Sequence, residues 1–420
     1  MLTRSVIAIF GYNNTRIYDV QKIKSIVEQN FNAQVLLIKE GITLEDFAVT
    51  PFCFDHRPED SEIGPLLEKY LLKENLKLLG CLPFSDKGVI GAAFTAEYFG
   101  LFGDDPKTAL AMLDKSLFRK HESLIEIPLE SYKKPFFFIA KNETDLFSIL
   151  KNFGPYFAKP TSEGNSRGCM KIETSEDIKS WVHDNLASLE KGVICEEILS
   201  QNNEYSFDGV AGHYWLTEKF TTEGAYKAEY QQIVPAPFSN EATLKLTETL
   251  TELIQCLGSQ GGAFHHEFFA YADGRIASVE PNRRPAGMWI WDLASLAFPD
   301  LNPWKLWISR CTRLEKMDFK LKSLPKREFF AGVRGVISKK SGLISQVDES
   351  SMLNDLLKTF GDGNFRLSIL KFENDPVKKI PRDNSDFLAY VSLRNKNYDS
   401  LVADLATAES IILNYIKVQS

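Results

Sequence analysis

The run GAFHHEFFAYADGRIASVEPN, residues 262–282, constrains this chain more than any other. Two apolar, strand-forming segments flank Ala272-Asp273-Gly274, and an Asp-Gly pair between such segments is a strong hairpin signal. Glu267 sits in the first segment; Glu280 and Asn282 end the second. A tight turn lays the two strands side by side, and residues two apart on a strand share a face. Three oxygen donors then converge without a cysteine. Mg2+ favours such a set, and it usually bridges to phosphates. Two ordinary surface glutamates in a hairpin fit the same pattern. Of His265 and His266, alternation lets only one face the site. The pair could serve as general bases or as metal ligands; the plainer expectation is one histidine in the core or just behind the site and the other outside.

Two further stretches carry chemistry. In YFAKPTSEGNSRGCMKI a strand ends at Lys159-Pro160. A small polar loop follows, with Thr161, Ser162, Gly164, Ser166 and Gly168. Glycines let a loop approach a phosphate, and successive backbone N–H groups make an anion nest. Lys159 and Arg167 add charge. The pattern is not that of a P-loop, and a flexible hairpin loop is the alternative. In GVICEEILSQNNEYSFDG an apolar strand runs into Glu196-Glu197, and an acid recurs at Glu204. Such a strand end can read an adenine edge, and a carboxylate eight residues on can grip a ribose diol. A plain strand with a polar turn is the alternative.

With 420 residues the chain exceeds one ordinary core, so two or three domains are expected. SVIAIFGY, DVQKIKSIVEQN and AQVLLIKE read as strand, helix and strand, the start of a parallel α/β layer. GPLLEKYLLKENLKLLG reads as an amphipathic helix ending at Gly80. Strand-like pieces dominate from about residue 135. A helix is expected over EATLKLTETLTELIQCLG. The last hundred or so residues mix strands (AGVRGVIS, FRLSILKF, FLAYVSLR) with a closing helix, YDSLVADLATAESIILNYI. The net charge of −7, with both signs interspersed, argues against a nucleic-acid or membrane-surface partner. No apolar run approaches a membrane span. The first apolar stretch is too short for a signal peptide. The six cysteines lie far apart, as in reduced cytoplasmic proteins.

In order along the chain, Lys115 in LDKSLFRKH, Lys159 with its loop, the Glu196 strand, Glu204, Glu267 and the Glu280-x-Asn282-x-Arg284 end resemble the ATP-grasp superfamily. Within it the chain resembles the carboxylate–amine ligases, and most of all the L-amino acid ligases. The resemblance runs from about Gly100 to Asp292; the C-terminal strands look like the closing domain of the biotin-carboxylase-like branch. It implies an α/β and α+β chain in three parts: a preATP-grasp-like α/β domain over 1–106, a two-lobed ATP-grasp domain over 107–310 and an α+β closing domain over 311–420. It implies ATP and Mg2+ as cofactors, with two ions expected and Mn2+ as a substitute. Lys115 and Lys159 would hold the α- and β-phosphates, with Ser162 and Ser166 in the loop that closes over them. Glu196, Glu197 and Leu199 would meet adenine, and Glu204 the ribose. Glu267, Glu280 and Asn282 would bind metal. Arg284, two past Asn282, would share its face and reach an acyl phosphate or a substrate carboxylate. Arg283 would be structural. Met288 and Trp289 would wall the substrate pocket, with Trp291 divided between that wall and core. The implied reaction makes an amide from a small carboxylate, such as an amino acid, and an amine through an acyl phosphate, releasing ADP. A carboxylase or phosphoribosyl-type ligase, and a nucleotide-binding protein without catalysis, are the alternatives. The partners implied are small molecules; a homodimer is one assembly open to the chain, and the sequence does not fix the oligomeric state.

Overall fold

The computed structural model describes residues 3–13, 16–126, 131–161, 167–199, 203–224, 226–259, 261–313, 322 and 324–419. The N-terminal part alternates strand and helix: β1 (Arg4–Phe10), α1 (Ile17–Phe31), β2 (Gln34–Lys39), α2 (Leu44–Val49), β3 (Cys53–Asp55), α3 (Ile63–Lys73), β4 (Leu76–Pro83) and α4 (Asp86–Phe99). The strands form a parallel sheet in the order β3-β2-β1-β4. β1 is apolar without alternation because both its faces are covered. Val6, Ala8 and Phe10 meet α3 and α4, while Ile7 and Ile9 meet α1. The helix expected to reach Gly80 is corrected here. It stops at Lys73, Asn75 takes a left-handed backbone (φ 53°), and LKLLG begins β4, paired with β1. Leu76 and Leu78 fill a sheet core, so burial overrides the helical spacing.

Next come α5 (Pro106–Leu113), α6 (Lys115–Leu124), β5 (Phe137–Ala140), α7 (Glu143–Phe153), β6 (Tyr156–Pro160), β7 (Met170–Ile172), α8 (Ser175–Lys191) and β8 (Val193–Glu196). Pro106 takes the first helical position of α5, where its missing N–H costs nothing. The four strands form a small antiparallel sheet, β5-β8-β6-β7, covered by α7 and α8.

The remaining chain supplies β9 (Asn203–Val210), β10 (His213–Thr221), β11 (Glu229–Val234), α9 (Asn240–Cys256), β12 (Phe264–Ala270), β13 (Ile276–Asn282), α10 (Ile290–Ala297) and α11 (Pro303–Cys311). Then follow β14 (Phe330–Gly335), β15 (Gly342–Val347), α12 (Glu349–Phe360), β16 (Phe365–Ile369), β17 (Pro376–Val377), β18 (Ala389–Asn395), α13 (Tyr398–Tyr415) and β19 (Ile416–Gln419). One eight-stranded sheet runs β13-β12-β9-β10-β11-β14-β18-β16, so the C-terminal strands continue the sheet that carries the hairpin. A short sheet, β17-β15-β19, completes the C-terminal end. α9 covers one face of the large sheet, and α12 and α13 pack on its C-terminal part. None of the described helices is long and apolar enough to cross a membrane.

Candidate active site

The hairpin closes as its turn residues require. Gly274 has φ 85° and donates its N–H to Tyr271 O. Glu267 lies directly opposite Glu280 across the strand pair, and His265 opposite Asn282. Opposed like charges repel, and cations offset them here. Lys115 Nζ, at the start of α6, lies 3.0 Å from Glu280 Oε2. Asn282 Nδ2 donates to Glu280 Oε1 at 3.0 Å. Glu267 Oε1 takes Lys219 Nζ at 2.6 Å and His265 Nε2 at 3.0 Å. His265 Nδ1 lies 2.6 Å from Asp208 Oδ1. Burial disfavours charge on His265, but Asp208 and Glu267 outweigh it and raise its pKa to about 9. Burial likewise works against the charge on Glu267, yet Lys219 and His265 hold it well below the usual range.

His266 is the core histidine of the pair, and since His265 is buried at the site, neither points outside as expected for one of them. His266 is fully buried, on the reverse face, because α9 covers that side of β12. Its Nε2 meets Ser278 Oγ at 2.7 Å, and burial beside Arg283 and Arg119 pushes its pKa down to about 3. It is a neutral core group. Arg283 is buried too, donating to Leu257 O at 2.6 Å.

The small sheet supplies the second wall. Lys159 Nζ, at the end of β6, lies 2.8 Å from Glu196 Oε2, and Arg119 Nε lies 2.9 Å from Glu196 Oε1. Burial opposes ionisation of Glu196, but Arg119 and Lys159 prevail and hold its pKa at about 2. Its carboxylate is thus committed to these cations. Glu197 pairs with Lys133. The Lys115 N–H donates to Thr161 O at 2.9 Å, tying the base of the loop to α6. Ser162 and Ser166 lie outside the described residues.

Glu204 meets Lys219 Nζ at 2.9 Å, and Glu229 meets it at 2.7 Å. Burial raises the Glu229 carboxyl to about 7, against the pull of Lys219. Sequence reading missed Lys219 and Glu229. The one signal was a lysine inside the apolar strand HYWLTEKFT, where an unpaired charge would be costly.

Arg284 is fixed from a distant part of the chain. Its Nε and Nη2 lie 2.7 and 3.1 Å from the two carboxylate oxygens of Asp86, a fork-to-fork pair. Asp86 begins α4, which sits close against β1. A Cβ added at Gly88 would stand 2.1 Å from Phe10 O, so glycine is what permits this approach. Beyond Arg284, Met288 and Trp289 both take left-handed backbone, φ 45° and 59°, a strain that residues with a Cβ bear only when their surroundings fix them. Gln232 Nε2 reaches Met288 Sδ at 3.3 Å, and the Arg366 guanidinium lies 4.0 Å from the centre of the Trp289 ring. Gln232 Oε1 is buried without a partner among the described residues. Trp291 belongs to the core, 1% exposed and edge-on to Trp304 and Trp307.

These groups open into one cavity of ≈ 820 Å³ between the two sheets. Lys115, Lys159, Glu196, Glu197, Leu199, Glu204, Glu267, Glu280, Arg284, Met288 and Trp289 all line it. Asn282 does not; it stands behind Glu280. The cavity therefore has an end rich in carboxylates and lysines and a wall of thioether, indole and amide.

No protein-family model matches the chain. The D-alanine–D-alanine ligase of Staphylococcus carnosus (strain TM300) is 23% identical over 263 residues, 57% of this chain and 72% of that protein. Among solved structures, the L-amino acid ligase from Bacillus licheniformis superposes with a TM-score of 0.77 at 15% identity, covering 99% of both chains. Phosphoribosylglycinamide synthetase from Anaerococcus prevotii gives 0.67 at 14% identity, again over 99% of both. N5-carboxyaminoimidazole synthetase from Staphylococcus aureus gives 0.64 at 14%, over 97% of both. The chain is thus similar over part of its length to D-alanine–D-alanine ligases, and its fold is the one shared by these ligase and synthetase structures.

Proposed function

We propose that this enzyme joins an amino acid or other small carboxylate to an amine, forming an amide through an acyl phosphate and releasing ADP and phosphate. The observation that carries the reading is that the lysine–carboxylate end and the Arg284–Met288–Trp289 wall share one cavity. Phosphoryl transfer needs charge neutralisation and alignment, with no protein nucleophile. In this reading Lys115 and Lys159 hold the nucleotide phosphates, the Glu196–Leu199 backbone meets the adenine, and Glu204 the ribose. Glu267 and Glu280 offer hard oxygens to the cavity, a donor type that fits Mg2+, and Asn282, behind Glu280, would complete the set only by turning its amide oxygen inward. When bound, the metal neutralises phosphate charge and aligns the transfer. The substrate carboxylate attacks the γ-phosphorus and ADP leaves; the amine then displaces phosphate from the acyl carbon. Arg284, held in place by Asp86, faces the developing charge. The buried acceptor at Gln232 Oε1 suits a substrate that brings an N–H to the wall.

The test is mass spectrometry of products from pooled amino acids with Mg·ATP, alongside phosphate release. New dipeptide or amide masses matched by phosphate are expected. The likeness in fold to N5-carboxyaminoimidazole synthetase supports a second reading, an ATP-dependent carboxylase. Bicarbonate-dependent phosphate release without an amide product would favour it.

A further inference from the structure

Glu204 on β9, Glu229 on β11 and Glu267 on β12 converge, each placing an oxygen within 4.8 Å of the others, close enough to share a metal ion. Lys219 reaches into that cluster from β10. Its Nζ lies 2.9, 2.7 and 2.6 Å from the three carboxylates. An ammonium has three N–H donors, and here each has a carboxylate. The Lys219 side chain is 0% exposed, which leaves its charge to the three carboxylates rather than to bulk solvent. Glu267 gives the same oxygen, Oε1, to Lys219 and to His265. Its Oε2 is the oxygen left for the side where Glu280 stands. A divalent ion and the ammonium would seek the same three-oxygen position.

We propose that Lys219 is a positioning residue that serves as an internal cation: it denies the Glu204–Glu229–Glu267 cage to a divalent metal and confines the ion to the Glu280 and Asn282 side of Glu267. Filled in this way, the cage leaves Glu204 to the nucleotide. Glu229 stays tied to the substrate wall, where its Oε2 accepts from Gln232 Nε2 at 2.8 Å and its N–H donates to Asn384 Oδ1 at 2.9 Å. The inference rests on the proposed function only in taking Glu267, Glu280 and Asn282 as the metal side.

The test titrates Mn2+ into the full chain without nucleotide, reading free ion by electron paramagnetic resonance. Lys219→Met leaves three converging carboxylates with no ammonium, and it should bind Mn2+ about ten-fold or more tightly than the unaltered chain, since affinity follows ligand charge. Three unpaired buried carboxylates can prevent folding. The double variant Lys219→Met/Glu229→Gln therefore runs beside it, because it restores the net charge of the cage and keeps two ligands. It too should bind Mn2+ more tightly than the unaltered chain. Equal Mn2+ affinity in the double variant and the unaltered chain overturns the inference, whatever the activity. If instead the Mn2+ site appears but no carboxylate and amine are ever joined, the ligase reading falls and the role of Lys219 stands.

Discussion

Glu280 gives one oxygen to Lys115 and the other to Asn282, while it faces Glu267 across the hairpin. Its charge is therefore balanced by neighbours that fold with it, and the amide of Glu280→Gln can keep much of that hydrogen bonding. The variant should retain the thermal transition of the parent while ATP turnover falls by at least about a hundred-fold, the scale of one lost preorganised charge contact. Parent-like turnover would remove Glu280 from the metal set. Lys159→Ala should raise the KM for ATP and lower kcat, a loss of about 2–4 kcal/mol in transition-state stabilisation. Unchanged ATP kinetics would mean that the loop after Lys159 does not close on phosphate. Glu196 makes a prediction about pH. Its pKa falls on folding from an ordinary 4.5 to about 2. A depressed folded-state pKa gives stability that is present above pH 4.5 and lost as pH falls toward 2. The shift corresponds to roughly 3 kcal/mol. Urea midpoints across that window should drop more steeply for the parent than for Glu196→Gln; parallel curves would refute the assignment.

At the scale of elements, the turn before α10 shapes the proposed substrate wall. Met288 and Trp289 hold left-handed backbone just past the Arg284 fork, and Met288 is clasped by Gln232. Methionine adapts to several shapes, so medium apolar substrate side chains should be accepted. Met288→Trp should fill that space and shift preference toward glycine, alanine or serine, by about 1–3 kcal/mol per methylene refused. The check is kcat/KM for a small and a large amino acid in both proteins; an unchanged ratio places the specificity pocket elsewhere. The elements themselves differed in how legible they were. The 262–282 hairpin could be read because Asp273-Gly274 marks its turn, but the opposition of Glu267 and Glu280 could not, because it depends on a register shift between Glu267 and Phe268 that no local pattern announces. LKLLG could not, because a short apolar run fits either period until its partner strand, β1, is known. Asp86 and Lys219 stayed hidden for a related reason. Their partners lie 198 residues away for Asp86 and on three other strands for Lys219, and no local pattern encodes such pairings.

At the scale of the whole molecule, the large sheet decides what can fold alone. β11 is hydrogen-bonded to β14 from Gln231–Arg334 through Val234–Ala331, and β14 in turn to β18. The cores cross this seam as well. Ala331 and Val333 belong to the cluster that holds Trp291, and Ile233 belongs to the C-terminal cluster with Leu401 and Leu405. Arg366 on β16 adds an ion pair to Asp292 on α10 at 2.9 Å, under the same guanidinium that covers Trp289. A chain ending after residue 313 would keep every residue proposed to touch nucleotide or metal. It would nevertheless leave β11 as an open edge and strip one side from the Trp291 core, and an exposed apolar edge invites aggregation. Such a fragment should be insoluble, or should lack a cooperative thermal transition, while the full chain melts with residues 311–420 coupled to the rest. A soluble 1–313 fragment with a sharp transition and parent-like ATP affinity would show instead that the closing part folds apart from the nucleotide site. The seam between β11 and β14 would then be a docking contact, and the substrate wall at Met288 and Trp289 would owe its shape to α10 alone.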